Sequence, residues 1–178
     1  MAGIQGSSCP GQKRKGCIQV VEFRLGKESY AIDLFDVKEV VEYTTITRLP
    51  NVPAYVKGII DLRGEITTLI DLRHRLNIDG EPDAPPESSR IIVLDDTFTM
   101  NKLGILVDDV TSVSTFEESH VDCTSALVSK EDTTILGIIK REIRVKDKET
   151  NELIIWIDIR KLLSGIGSGL NDPPHRDL

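Results

Sequence analysis

Two blocks of this chain repeat one another in the same order. Val20 to Val40 (VVEFRLGKESYAIDLFDVKEV) can be laid over Ile92 to Val113, with Tyr30-Ala31-Ile32 against Leu103-Gly104-Ile105 and Val37-x-x-Val40 against Val110-x-x-Val113. Further on, Gly58-Ile59-Ile60 followed by Leu69-Ile70-Asp71-Leu72-Arg73-x-x-Leu76 matches Gly137-Ile138-Ile139 followed by Trp156-Ile157-Asp158-Ile159-Arg160-x-x-Leu163. Self-similarity of this kind means that one small supersecondary unit has been used twice. Each copy of about 70 residues has room for about five strands. That number suits a small closed barrel, because closure leaves no long unpaired edge.

Within each copy the apolar residues recur mostly at period two, in short runs broken by turn residues, which is the signature of strands. The pattern predicts strands at about 18–25, 29–33, 37–43, 46–49, 58–62, 65–70, 91–95, 103–108, 110–116, 135–145 and 152–157. Gly26-Lys27 and Arg63-Gly64 read as tight turns, and Lys146 to Asn151 as a polar hairpin loop. Helix is scarce: single turns are expected after Pro53, Asp71 and Asp158, with room for a short one in 119–130. Asp71 and Asp158 each precede an apolar run and are placed to cap their turns, and Gly58 and Gly137 are placed to let backbones approach closely. Residues 1–17 and 164–178 are rich in Gly, Ser, Pro and Asp without apolar period, and are expected to be disordered tails. Residues 79–89 (DGEPDAPPESS) read as a linker between a first lobe at about 18–78 and a second at about 90–163.

Composition removes several classes of function. Apolar residues make up 39% of the 178, enough for a core, yet no stretch approaches the roughly 18 consecutive apolar residues of a membrane-spanning helix. The N-terminus lacks the apolar run of a signal peptide, so a cytoplasmic protein without membrane insertion is expected. There are 22 basic and 29 acidic residues, net −7, and the excess is concentrated in 95–132, where nine acids face only Lys102 and Lys130. Nucleic acid is excluded as a partner, since polyanion binding needs a basic stripe. Cys9, Cys17 and Cys123 are odd in number and include no Cys-x-x-Cys pair, which argues against a disulfide scaffold and a zinc module.

Catalytic constellations are missing. His74, His120 and His175 stand alone, and no serine elbow, phosphate loop or dinucleotide fingerprint occurs, so no catalytic residue, metal ligand or cofactor is assigned. The alternative is a small β-barrel metal-dependent enzyme working through segment 95–132. It would require Asp95, Asp96, Asp108, Asp109, Glu117 and Glu118 to converge in one pocket. Adjacent strand residues point to opposite faces, which weighs against that convergence.

The most distinctive run is Pro50 to Arg73, PNVPAYVKGIIDLRGEITTLIDLR. Arg63 at its hairpin tip offers an exposed fork of donors suited to a carboxylate on a partner. Together with SYAIDLFDVKEV, LGILVDDVTSV and LGIIK, this run resembles the CheW family of chemotaxis coupling proteins, over about 145 of the 178 residues. Thr68 departs from that family, where many members carry proline, as does the longer charged hairpin from Lys140 to Glu152. The resemblance implies an all-β fold of two SH3-like five-stranded barrels packed over a shared core, and an adaptor rather than an enzyme. It implies two partners, the cytoplasmic tip of methyl-accepting chemotaxis receptors and the regulatory domain of the histidine kinase CheA. On this footing a receptor-binding groove is expected at Val37, Glu39, Arg63, Val110, Val113 and Gly137. Kinase attachment is expected at Gly58, Gly64 and Ile66.

Overall fold

The period-two runs become strands of two sheets in a computed structural model that describes residues 16–80, 86–97, 101–123 and 134–166. In chain order the strands are β1 (Cys17–Leu25), β2 (Glu28–Asp33), β3 (Val37–Glu42), β4 (Val56–Leu62), β5 (Glu65–Asp71), β6 (Arg90–Leu94), β7 (Leu103–Val107), β8 (Asp109–Glu117), β9 (Val121–Asp122), β10 (Ile135–Val145) and β11 (Lys148–Ile157). Two short helices, α1 (Leu72–Arg75) and α2 (Ile159–Leu163), follow β5 and β11. The 119–130 helix is replaced, over its described part, by a 3-10 turn at Glu118–His120 running into β9, and 124–133 lie outside the described residues. Among the described residues no helix is long and apolar enough to cross a membrane.

One sheet runs β8-β1-β2-β11-β10-β9 and the other β3-β6-β7-β5-β4. Each therefore takes the first hairpin of one repeat and the later strands of the other. The registers agree with the sequence alignment to the residue. Trp156 of β11 lies opposite Ala31 of the parallel strand β2, and their repeat mates Leu69 and Gly104 lie opposite each other on β5 and β7. This interleaving corrects the division into lobes at 18–78 and 90–163, because β1–β2 belong with the second lobe's strands and β6–β7 with the first's. The folded part also reaches further towards both chain ends than expected. Cys17 opens β1 and Ile166 is buried in the core, while 1–15 and 167–178 lie outside the described residues, as do 81–85 of the linker.

The exchange follows from burial on both faces of the first hairpins. On β1, Ile18 and Val20 join Ala31, Ile139, Ile154 and Trp156 inside one barrel, while Val21, Phe23 and Leu25 face a second cluster. On β6, Ile91 and Val93 join Ile60 and Leu69 inside the other barrel, while Ile92 and Leu94 face that same second cluster. Strands with apolar residues to bury on both faces cannot remain at a surface, so each hairpin is driven between a barrel interior and the shared core.

Both sheets curl until their outer strands meet. β8 and β9, the two ends of the first sheet, are joined by the single turn Glu118–His120. In the second sheet Thr47 bridges Ile59 of β4, and Arg63 at the β4–β5 turn reaches Glu39 of β3. The strand expected at 46–49 is thus one bridge, and β9, absent from the expected strands, occupies the matching place in the other barrel. Asp71 and Asp158 act as caps: Asp71 Oδ1 accepts from the Arg73 amide at 3.0 Å, and Asp158 Oδ1 from that of Lys161 at 2.9 Å.

Candidate protein-docking seam

Between the barrels, the capped helices carry a pair of matched arginines. Arg73 of α1 donates from Nη2 to Asp108 Oδ2 at 2.5 Å and from Nε to Oδ1 at 3.3 Å. Arg160 of α2 donates from Nε to Asp36 Oδ1 at 2.6 Å. Each arginine thus reaches from its own repeat to the turn between the second and third strands of the other. Sequence reading missed both pairs. The aligned Asp-x-Arg motifs located the arginines, but their acids lie one register step apart in the repeat, at Asp36 and Asp108, and so do not align.

Asp33 ends β2 beside this second pair, and its carboxyl is pushed up to about 6, first by burial, then by Asp36 and Asp158, against the opposing pull of Arg160. A carboxyl that holds its proton longer in the fold than the ordinary 3.8 favours the native state below 3.8 and loses that contribution as pH rises through about 6. Asp33→Asn is therefore expected to raise the melting temperature at pH 7.5 and to leave it nearly unchanged at pH 4. An equal shift at both pH values would mean that the carboxyl titrates normally.

β3 and β8 are repeat mates and outer strands of the two sheets, and they border the shared core. Val37 of β3 and Val110 of β8 are both half-buried and pack against that one core cluster. Val113 is 60% exposed, opposite the buried Val21. Its repeat mate Val40, 41% exposed opposite the buried Ile92, was not among the expected site residues, although the alignment Val37-x-x-Val40 with Val110-x-x-Val113 contained it.

Arg63 departs from expectation. Its backbone is left-handed, at φ 54°, but its guanidinium is not idle: Nη2 and Nη1 donate to the two Glu39 carboxylate oxygens at 2.7 and 3.2 Å. The pair is solvent-exposed, so it links two expected site residues without burying either charge. Gly137 does not line the seam. It is buried beneath β9, where a Cβ would lie 2.8 Å from Val121 Cγ1.

The hairpin β4–β5 separates the three residues expected to meet a kinase. Gly64 completes the turn at φ 86°, its amide donating to Asp61 Oδ1 at 2.7 Å, and Ile66 stands 59% exposed on β5. Gly58 is buried at φ 147°, and a Cβ there would lie 2.7 Å from Ile46 Cγ2 and closer still to the Thr47 carbonyl. Gly58 therefore admits the crossing segment and offers no surface, which corrects its reading as a contact.

The acids of the rival enzymatic site are dispersed. Asp108 is held by Arg73, Asp96 by Lys38 at 3.3 Å, Asp95 accepts from the Thr97 amide, and Asp109 from that of Val110. Among the described residues no group of three or more His, Cys, Asp or Glu could hold a metal ion.

Residues 19–166 match the CheW-like domain model. The chain is 33% identical over 144 residues to the chemotaxis protein CheW of Bacillus subtilis, covering 75% of this chain and 90% of that protein. It is 32% identical over 153 residues to CheW of Klebsiella aerogenes, covering 84% of each. The crystal structure of the scaffolding protein TtCheW from Thermoanaerobacter tengcongensis superimposes with a TM-score of 0.65 at 31% identity, covering 84% of this chain and 94% of that one. With a duplicated double barrel, an exposed apolar seam and relatives matched over most of their length, the chain belongs to the CheW family, the non-catalytic coupling adaptors of chemotaxis signal transduction.

Proposed function

We propose that this adaptor works in the cytoplasm and joins the tips of methyl-accepting chemotaxis receptors to the regulatory domain of the histidine kinase CheA. The observation that carries the reading is the seam. Two repeat-related pairs, Val37 with Val40 and Val110 with Val113, present partly exposed aliphatic side chains along the border of the shared core. A row of valines, on a strand that also carries Glu39 with its partner Arg63, suits the apolar face of a receptor helix carrying rim charges, the helix-in-groove mode of recognition. Kinase attachment fits the β4–β5 hairpin, where Ile66 is a large exposed aliphatic beside a tight turn. Gly58 supports this hairpin from beneath, by letting the Ile46–Thr47 segment lie close on β4.

The test is a crossed pair of charge substitutions. Arg63→Glu places a carboxylate against Glu39 and is expected to lower affinity for a receptor cytoplasmic fragment at least tenfold, with kinase binding retained. Ile66→Glu is expected to do the reverse. Both positions are exposed, and a surface ion pair is worth about 0–1 kcal/mol, so melting should stay near wild type. Loss of both partners in either variant, or undiminished receptor binding by Arg63→Glu, overturns the assignment.

A further inference from the structure

The two repeats differ most in their last hairpin. Gly58 and Leu69 bracket β4–β5 as Gly137 and Trp156 bracket β10–β11, yet the second bracket holds eight more residues. Strands of 7 and 7 residues become strands of 11 and 10. The turn at the tip is tight, with Lys146 and Asp147 both left-handed at φ 48° and 61°. The extra length rises clear of the barrel, because β9 pairs with β10 only at Ile138 and Ile139, and β2 with β11 only at Ile154 to Trp156. Among the described residues, therefore, no strand pairs with Lys140 to Val145 on the side away from β11.

A free edge of six residues is a template for another strand. Its side chains alternate: Lys140, Glu142 and Arg144 lie on one face, Arg141, Ile143 and Val145 on the other. Val145 is 50% exposed, an unusual place for a valine at the end of a charged ribbon. On the first face Arg144 Nη2 already meets Glu149 of β11 at 3.2 Å, so the row across the hairpin reads anion, cation.

We infer that two copies of this chain associate through their free β10 edges, paired antiparallel about a twofold axis at Ile143. In this register Glu142 of each copy opposes Arg144 of the second, extending the row to Glu149, Arg144, Glu142 and Asn151 across four strands. On the other face the two Ile143 side chains meet at the axis and the two Val145 side chains cover the Arg141 stems. Pairing residues 141–145 of both copies uses only the unpaired part of the edge and stops short of β9. Neighbouring registers are disfavoured. Moving the axis to between Glu142 and Ile143 opposes residues whose side chains lie on different faces, which an antiparallel ladder does not allow, and moving it to Glu142 sets two carboxylates opposite each other, like charges that destabilise a ladder. Ten residues make a small interface, so the dimer is weak and reversible.

Sedimentation of the full chain, under reductant because Cys17 is an exposed free thiol, tests the pairing across a roughly hundredfold range of concentration. Wild type should pass from monomer to dimer as concentration rises. Glu142→Arg alone and Arg144→Glu alone should each weaken association at least tenfold, with melting near wild type because both sites lie on the solvated edge of the hairpin. An equal mixture of the two variants should recover wild-type association, since every cation of one then faces an anion of the other. A chain that stays monomeric throughout, a dimer indifferent to both substitutions, or a mixture that fails to recover overturns the inference.

Discussion

Asp108→Ala is expected to lower the melting temperature by roughly 10 °C, and Asp36→Ala by much less, although the two aspartates play matching parts. The Arg73 and Asp108 side chains are only 11% and 15% exposed, and Asp108 Oδ2 also accepts from the Gly26 amide at 2.6 Å. Removing the carboxylate strands a guanidinium among buried neighbours, and breaking a buried pair in this way costs about 3–5 kcal/mol. Arg160, by contrast, is 49% exposed and can turn to water when Asp36 is lost, so the second loss is about 1 kcal/mol. The joint substitution Arg73→Met with Asp108→Leu should recover most of the stability, because no charge is then left buried. Thermal unfolding of these variants decides the matter, and equal losses at Asp108 and Asp36 would refute the asymmetry.

Gly58→Val is expected to cost about 3 kcal/mol or to prevent folding altogether. Two penalties combine there: a β-branched residue resists φ 147°, and its Cβ would press on the Thr47 carbonyl and Ile46. Gly137 occupies the same place beneath β9, but the nearest atom to its Cβ is the Val121 methyl, the end of a side chain that can give way. Gly137→Ala should therefore cost appreciably less than Gly58→Ala. Denaturant midpoints of the two alanine variants measure the difference, and the opposite order would mean that crowding by backbone is not what sets the cost. Weakened kinase binding by any folded Gly58 variant is then attributable to a displaced hairpin carrying Ile66, because Gly58 itself lies beneath the surface.

Much of the architecture is legible in the sequence. Alternation of apolar residues located ten of the eleven strands among the described residues, because burial on a pleated sheet imposes period two directly on the chain. Capping at Asp71 and Asp158 was equally local, since a cap needs only its own turn. The duplication was visible as well, down to the register that sets Trp156 on Ala31 and Leu69 on Gly104.

What the chain order concealed was which copy each hairpin joins. Linear reading kept Val20 to Asp33 with the segment that follows, whereas burial on both faces sends that hairpin to β8 and β11, more than 70 residues away. Long-range pairing also decided the electrostatics. Arg63 read as an unattached donor because nothing near it in sequence is its acceptor, and Glu39, 24 residues earlier, reaches it only once the second sheet curls. Gly58 carried two readings, a close backbone approach and a kinase contact, and the first is what it serves, since the segment that covers it, Ile46–Thr47, arrives by closure of the barrel. Periodicity, caps and repeats are properties of neighbouring residues and belong to the sequence. Sheet closure, hairpin exchange and the Arg73–Asp108 clamp depend on the whole chain burying its apolar faces at once, and only the tertiary structure could decide them.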